Sequence, residues 1–271
     1  AILYILNGCK SSTIPEKIPV QKDSHIVWKW ERHKKGFYSN SFIYKGALIT
    51  GTQSDDDTSR GFSLVALSLD SGTLIWQNSN FDTRFDPYSS EHSAIKDHIV
   101  VLSRSSLIYA VDANTGEVIW NDEMVNGESN IAIIGNWVYK TTEFGRQASS
   151  LYRYHLYNGR KEHVLTLDKT RMGSVYSPSL CMPVRWFHPS GDEILIMNNR
   201  SYDWETSRES RMDIIAYNLT SDSIFWYLDN LDNTSSSVRP VLENGKAYLF
   251  GSFFVHCIDV SSGKPLWESK T

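Results

Sequence analysis

One spacing recurs along the chain and limits what it can fold into. A turn glycine is followed, four residues later, by a tryptophan. "VALSLDSGTLIW" carries Gly72 and Trp76, "YAVDANTGEVIW" carries Gly116 and Trp120, and "VHCIDVSSGKPLW" carries Gly263 and Trp267. "IAYNLTSDSIFW" keeps the frame with Asp222 in the glycine position and Trp226 in place. "LYRYHLYNGRKEHV" is a degenerate copy, with Gly159 and with His163 at the expected tryptophan site. In the four copies that keep the tryptophan, six residues before the turn position stand Ala66, Ala110, Ala216 and Cys257, small residues that mark a tight site. Cys257 therefore reads as a buried small residue rather than a reactive thiol.

Each copy is a β-hairpin. In the second, Asp112 and Thr115 can bond nearby amides, and Gly116 supplies a backbone conformation closed to most residues. The flanking segments Tyr109 to Val111 and Val118 to Trp120 read as strands. Trp76 to Trp120 spans 44 residues, with 43 on to His163, 63 to Trp226 and 41 to Trp267. A period of 40–45 with several strands per unit predicts an all-β propeller of four-stranded antiparallel blades. Two strands precede each hairpin. The first are expected in "YSNSFIY", "SEHSAIK", "SNIAII", "VYSPSL" and "SVRPVL"; the second in "ALITGT", "HIVVLS", "WVYKTT", "EILIMN" and "KAYLFGS". A blade cannot bury both faces alone. A flat indole at a fixed place in each blade can fill the wedge to its neighbour, its N–H free to bond that neighbour's backbone. Trp76, Trp120, Trp226 and Trp267, with Gly72, Gly116 and Gly263, are thus assigned blade-docking roles.

The A-x-D-x-x-T-G-x-x-x-W pattern, intact at Ala110, Asp112, Thr115, Gly116 and Trp120, resembles the tryptophan-docking repeat of pyrroloquinoline-quinone-like propellers. The resemblance covers residues 25–271. Residues 1–24 read differently. Leu6-Asn7-Gly8-Cys9 resembles a lipoprotein box with Cys9 as the acylated residue, and Lys10 to Lys22, with Pro15 and Pro19, reads as a polar tether. Together these features are similar to the lipoprotein propellers related to the B subunit of the outer-membrane β-barrel assembly machinery. That resemblance implies a non-catalytic, membrane-tethered scaffold in the bacterial cell envelope, on the periplasmic side of the outer membrane. It implies no cofactor, envelope proteins or peptides as partners, and membrane contact through the lipid anchor alone.

The blade count does not close. Five turn-plus-tryptophan units are visible, and "HIVWKWE" adds a spare outer strand at Trp28 or Trp30. Trp28 is assigned to docking, and the surplus strand is explained most simply if the chain is a fragment of a ring of seven or eight blades; the alternative is a closed five-blade ring with Trp28 packing outside it.

Composition narrows function. The 271 residues include nine Trp, fourteen Tyr and eleven Phe, which suits strands. A net charge of −4 and a pI near 6.1, with no basic run, point away from nucleic acid. The eight His show no metal-binding spacing. Asp55-Asp56-Asp57 lacks the ligand alternation of a calcium loop and reads as a solvated tip. Cys181 and Cys257 have no framework spacing. The adjacent-cysteine disulfide of quinoprotein dehydrogenases has no counterpart in the sequence, so an enzyme is the alternative reading rather than the first. A carbohydrate-binding propeller is a further alternative.

Insertions gather where blade-to-blade connections and second-to-third loops emerge, and this face is the expected binding surface. Arg84, Asp86, Tyr88, Arg171, Trp186, Tyr202, Trp204 and Arg208 are its candidate contacts.

Overall fold

The computed structural model describes residues 38–53, 61–82, 84–85, 92–144, 147–169, 177–203, 210–233, 236 and 238–270. Cys9, Trp28, Asp55 to Asp57, Asp86, Tyr88, Arg171, Trp204 and Arg208 lie outside these residues.

Among the described residues, five four-stranded antiparallel sheets follow one another, each a simple up-and-down meander. Blade one comprises β1 (Tyr38–Tyr44), β2 (Ala47–Gln53), β3 (Phe62–Ser68) and β4 (Leu74–Asn78). Blade two is β5 (Ser93–Lys96), β6 (Ile99–Arg104), β7 (Leu107–Asp112) and β8 (Val118–Glu123). Blade three is β9 (Gly127–Ile134), β10 (Trp137–Phe144), β11 (Ala148–His155) and β12 (Lys161–Asp168). Blade four is β13 (Val184–Phe187), β14 (Glu193–Tyr202), β15 (Ser210–Asn218) and β16 (Ser223–Asp232). Blade five is β17 (Val241–Glu243), β18 (Lys246–Phe250), β19 (Phe254–Asp259) and β20 (Pro265–Lys270). This is the all-β architecture of propeller blades. The chain divides between residues 83 and 84 into two compact units, the first holding blade one and the second blades two to five.

Blade four departs from the expected pairing. Its innermost strand is Val184–Phe187, not "VYSPSL". Ser177 and Leu180 form only isolated bridges, to Tyr202 and Asn199. Pro178 and Pro183 explain the break, since neither offers a backbone N–H to a ladder.

Within the second unit each seam between blades is an apolar cluster. Ile99, Val101, Ile108 and Ala110 of blade two pack with Ile131, Val138, Tyr154 and Leu156 of blade three. Leu151, Val164, Leu165 and Leu167 of blade three meet Leu180, Leu195, Met197 and Ile215. Ile194, Ile196, Ile214 and Ala216 of blade four meet Ala247, Leu249, Ile258 and Val260.

The tryptophans close two of these seams. Trp120 Nε1 donates to the Leu156 carbonyl at 2.7 Å, and its ring stacks on Tyr154 at 5.6 Å. Trp226 Nε1 donates to the Val260 carbonyl at 2.8 Å. Each indole lies on the turn glycine of the next blade. A Cβ on Gly159 would stand 2.8 Å from Trp120, and one on Gly263 2.8 Å from Trp226. These glycines serve twice: they take φ of +69° and +70°, and they leave room for the neighbour's ring.

The seam from blade three to blade four works differently. In the four tryptophan blades a β-bulge directly follows the small residue, between Ala66/Leu67, Ala110/Val111, Ala216/Tyr217 and Cys257/Ile258. That bulge sets the tryptophan opposite the small residue. In blade three the bulge has slipped to Leu151/Tyr152, so Arg153 faces Glu162, and His163 faces Tyr152. His163 therefore does not occupy the tryptophan site. The Arg153–Glu162 ion pair at 2.7 Å fills it instead, with the guanidinium 4.2 Å above the Trp137 ring. The receiving turn changes too: Asp222 replaces glycine, holds φ +54°, and accepts a hydrogen bond from Tyr217. The lost ring and the lost glycine belong to the same seam.

Candidate binding surfaces

The second strands of blades two, three and four run from an apolar turn end to a polar loop end. Ile99 to Leu102 precede Ser103, Val138 and Tyr139 precede Lys140 to Thr142, and Ile194 to Met197 precede Asn198, Asn199 and Ser201, all buried. The apolar half carries the docking described above. The polar half underlies the face where the long connections emerge.

Two buried clusters stiffen that face. In blade four the Asp213 carboxylate is fully buried. It accepts from Asn199 Nδ2 and Ser201 Oγ at 2.9 Å each, and from the Asn230 amide at 2.9 Å. Its Coulomb partner is Arg211, at 3.3 Å. Between blades two and three, the buried Lys140 donates to Ser103 Oγ at 2.6 Å and to the Glu128 carbonyl. Burial lowers its pKa to about 7, against a weaker opposing pull from Glu128. His92 nearby is lowered to about 4 by burial and by the positive charges of Arg104 and Lys140.

On the surface above, Arg84 makes a two-pronged contact with Glu123, at 2.9 and 3.3 Å. The Arg84 side chain is 59% exposed, so the pair orients the group more than it stabilises the fold. Its neighbour Phe85 is buried edge-on against Tyr109 at 4.6 Å, which anchors the segment. Tyr202 ends β14 at the same loop end of its blade, bonded through its backbone to Ser177 at 2.9 and 3.1 Å.

Trp186 stands elsewhere. It lies opposite Ile194 on β13, whereas Tyr202 is eight residues further along β14. At about 3.3 Å per residue that is roughly 26 Å, the height of the blade. The reason is the broken inner strand: the connection spends its length along β14, so its last residues arrive at the turn end.

There Trp186 walls a second concavity. A cleft of about 210 Å³ lies between β13 and the turn joining β17 to β18, lined by Arg185, Trp186, Phe187, Leu242, Glu243 and Lys246 among others. Trp186 is braced by His188 at 5.3 Å and Phe225 at 6.4 Å. Arg185 is held near Glu193 at 3.4 Å and lies over Phe187 at 4.9 Å. Sequence reasoning missed Arg185, Phe187 and Lys246 because none sits in a motif; only the packing of neighbouring blades brings β13 and the β17–β18 turn together. Cys181 and Cys257 are both buried thiols, not joined to each other.

The family of outer membrane protein assembly factor BamB matches residues 60–200, just over half of the chain. The chain belongs to this family. Among solved structures, BamB from Moraxella catarrhalis aligns with a TM-score of 0.56 and 14% identity, over 90% of this chain and 64% of its own. A europium-containing methanol dehydrogenase aligns with a TM-score of 0.60 and 11% identity, over 87% and 52%. The quinohemoprotein alcohol dehydrogenase of Comamonas testosteroni gives 0.55 and 11%, over 86% and 42%. At these identities the likeness is one of fold, and the chain spans less than two thirds of each. No curated protein matches it in sequence.

Proposed function

We propose that the chain is a non-catalytic scaffold of the bacterial cell envelope that binds other proteins during outer-membrane protein assembly. The observation that carries this reading is the family match across residues 60–200. In this reading residues 1–24 tether the protein through a lipid on Cys9, and residues 25–271 form the repeats. The loop end presents Arg84, Asp86, Tyr88, Arg171, Tyr202, Trp204 and Arg208 to partners. Loops carried on a rigid sheet scaffold are where binding residues concentrate, which supports placing the contacts at this end.

The dehydrogenase neighbours supply a second reading, a quinone-dependent enzyme on the same fold. Fold alone does not decide between them. Affinity capture of the full chain from crosslinked, solubilised envelopes separates the two. The scaffold reading expects envelope proteins recovered in near-stoichiometric amounts. Recovery of the chain alone, together with quinone-dependent dye reduction in the presence of an alcohol, overturns it.

A further inference from the structure

We infer that the Asn244-Gly245 turn of blade five is a spontaneous modification site, where the asparagine converts to aspartate and isoaspartate ahead of the other asparagine–glycine pairs of the described fold.

The chemistry needs only water. The Gly245 backbone nitrogen gives up its proton to water or hydroxide and bonds to Cγ of Asn244. The bond from Cγ to Nδ2 breaks, and ammonia leaves. Water then opens the cyclic imide at one of its two carbonyls. One opening leaves aspartate on an ordinary backbone. The other routes the main chain through Cγ and leaves isoaspartate. Glycine in second place puts no side chain against the closing ring.

Three such pairs fall within the described residues, at 126–127, 158–159 and 244–245; Asn7-Gly8 lies outside them. The fold ties down the first two. The Gly159 N–H donates to the His155 carbonyl at 2.9 Å, and Asn158 Oδ1 accepts from the Arg160 amide at 3.0 Å. The Trp120 ring covers that glycine. Gly127 is buried and donates to the Met124 carbonyl at 3.3 Å. A Cβ on Gly127 would stand 2.8 Å from the Ser105 carbonyl oxygen.

Asn244 and Gly245 are both exposed. A Cβ on Gly245 would meet nothing within 4 Å. Among the described residues, neither the Asn244 side chain nor the Gly245 N–H has a hydrogen-bond partner. The pair takes φ of +50° and +73°, a two-residue hairpin turn that must open for the nitrogen to reach Cγ. Behind it β17 has only three residues, so little ladder resists the opening.

The product bears on the seam. The Gly245 carbonyl accepts from the Val260 amide at 3.0 Å, and the Val260 carbonyl accepts from Trp226. Isoaspartate lengthens the backbone by one carbon just before Gly245, which displaces that carbonyl and loosens the docking of blade four on blade five. Aspartate leaves the path of the chain unchanged.

The test ages the folded full chain at mildly alkaline pH and follows each pair by peptide mass spectrometry, with isoaspartyl linkages labelled by an isoaspartyl methyltransferase. Conversion at Asn244 is expected several-fold faster than at Asn126 or Asn158, and the three rates should converge in urea. Equal rates in the folded chain, a faster Asn126 or Asn158, or an Asn244 that converts only in urea overturns the inference. Hydrogen exchange at the Val260 amide should quicken in the isoaspartyl fraction but not in Asn244→Asp. Unchanged exchange in that fraction removes the link to the seam.

Discussion

The indole of Trp120 lies on the bare Cα of Gly159 and donates its N–H to the Leu156 carbonyl at 2.7 Å, three residues before that glycine. Trp226 repeats the relationship with Gly263 and Val260. The ring of one blade and the turn of the next are a single device.

Gly159→Ala should therefore destabilise the protein by about 1–3 kcal/mol, from strain at positive φ and from overpacking against the ring. Trp120→Ala should cost about 3–5 kcal/mol. In the double variant the losses should fall well short of additive, because both remove the same contact. Denaturant unfolding of the three variants measures this.

The slipped bulge makes the tryptophan position unequal between blades. Trp226→His should destabilise by more than about 2 kcal/mol, as a filled wedge is emptied. His163→Trp should bring no comparable gain. Its backbone site faces Tyr152 rather than the seam, and Asp222 carries the side chain that glycine lacks. Thermal melts of the two single variants compare them directly.

Lys140 gives a pH signature. Its folded pKa of about 7 lies below the ordinary 10.5, so between these values the native state binds fewer protons than the unfolded chain. Stability should rise with pH through that window, and below pH 7 the buried charge is a cost. Lys140→Met should flatten the profile from pH 7 to 10, read as the denaturation midpoint at each pH.

Asp213 organises the loop end of blade four, and Asp213→Ala leaves Asn199 and Ser201 around a hole and Arg211 with Asp229 alone, at 2.9 Å. A loss of about 3–5 kcal/mol is expected. Asp213→Asn should cost less, since an amide keeps part of the network. Hydrogen exchange should show the loss concentrated in β14 to β16.

Much of this was readable in the residues. The glycine-to-tryptophan frame, the hairpins and the strand order follow from local chemistry repeated at a fixed period. The seam at blade three was not readable. His163 keeps its place in the sequence, but the bulge that orients it depends on what fills the wedge. Trp186 was assigned to the wrong end because the path of its connection is set by two prolines breaking an inner strand. Lys140 interrupts the apolar residues of β10, which hints at a special site, yet only the neighbouring blade supplies Ser103.

The most direct test of the scaffold account is site-specific photocrosslinking in living cells, with the probe at Arg84 and, as a control, at Ile119 on the rim of blade two. The account predicts discrete adducts with envelope proteins from Arg84 and none from Ile119. Adducts from Ile119 alone, or from neither position, would contradict it.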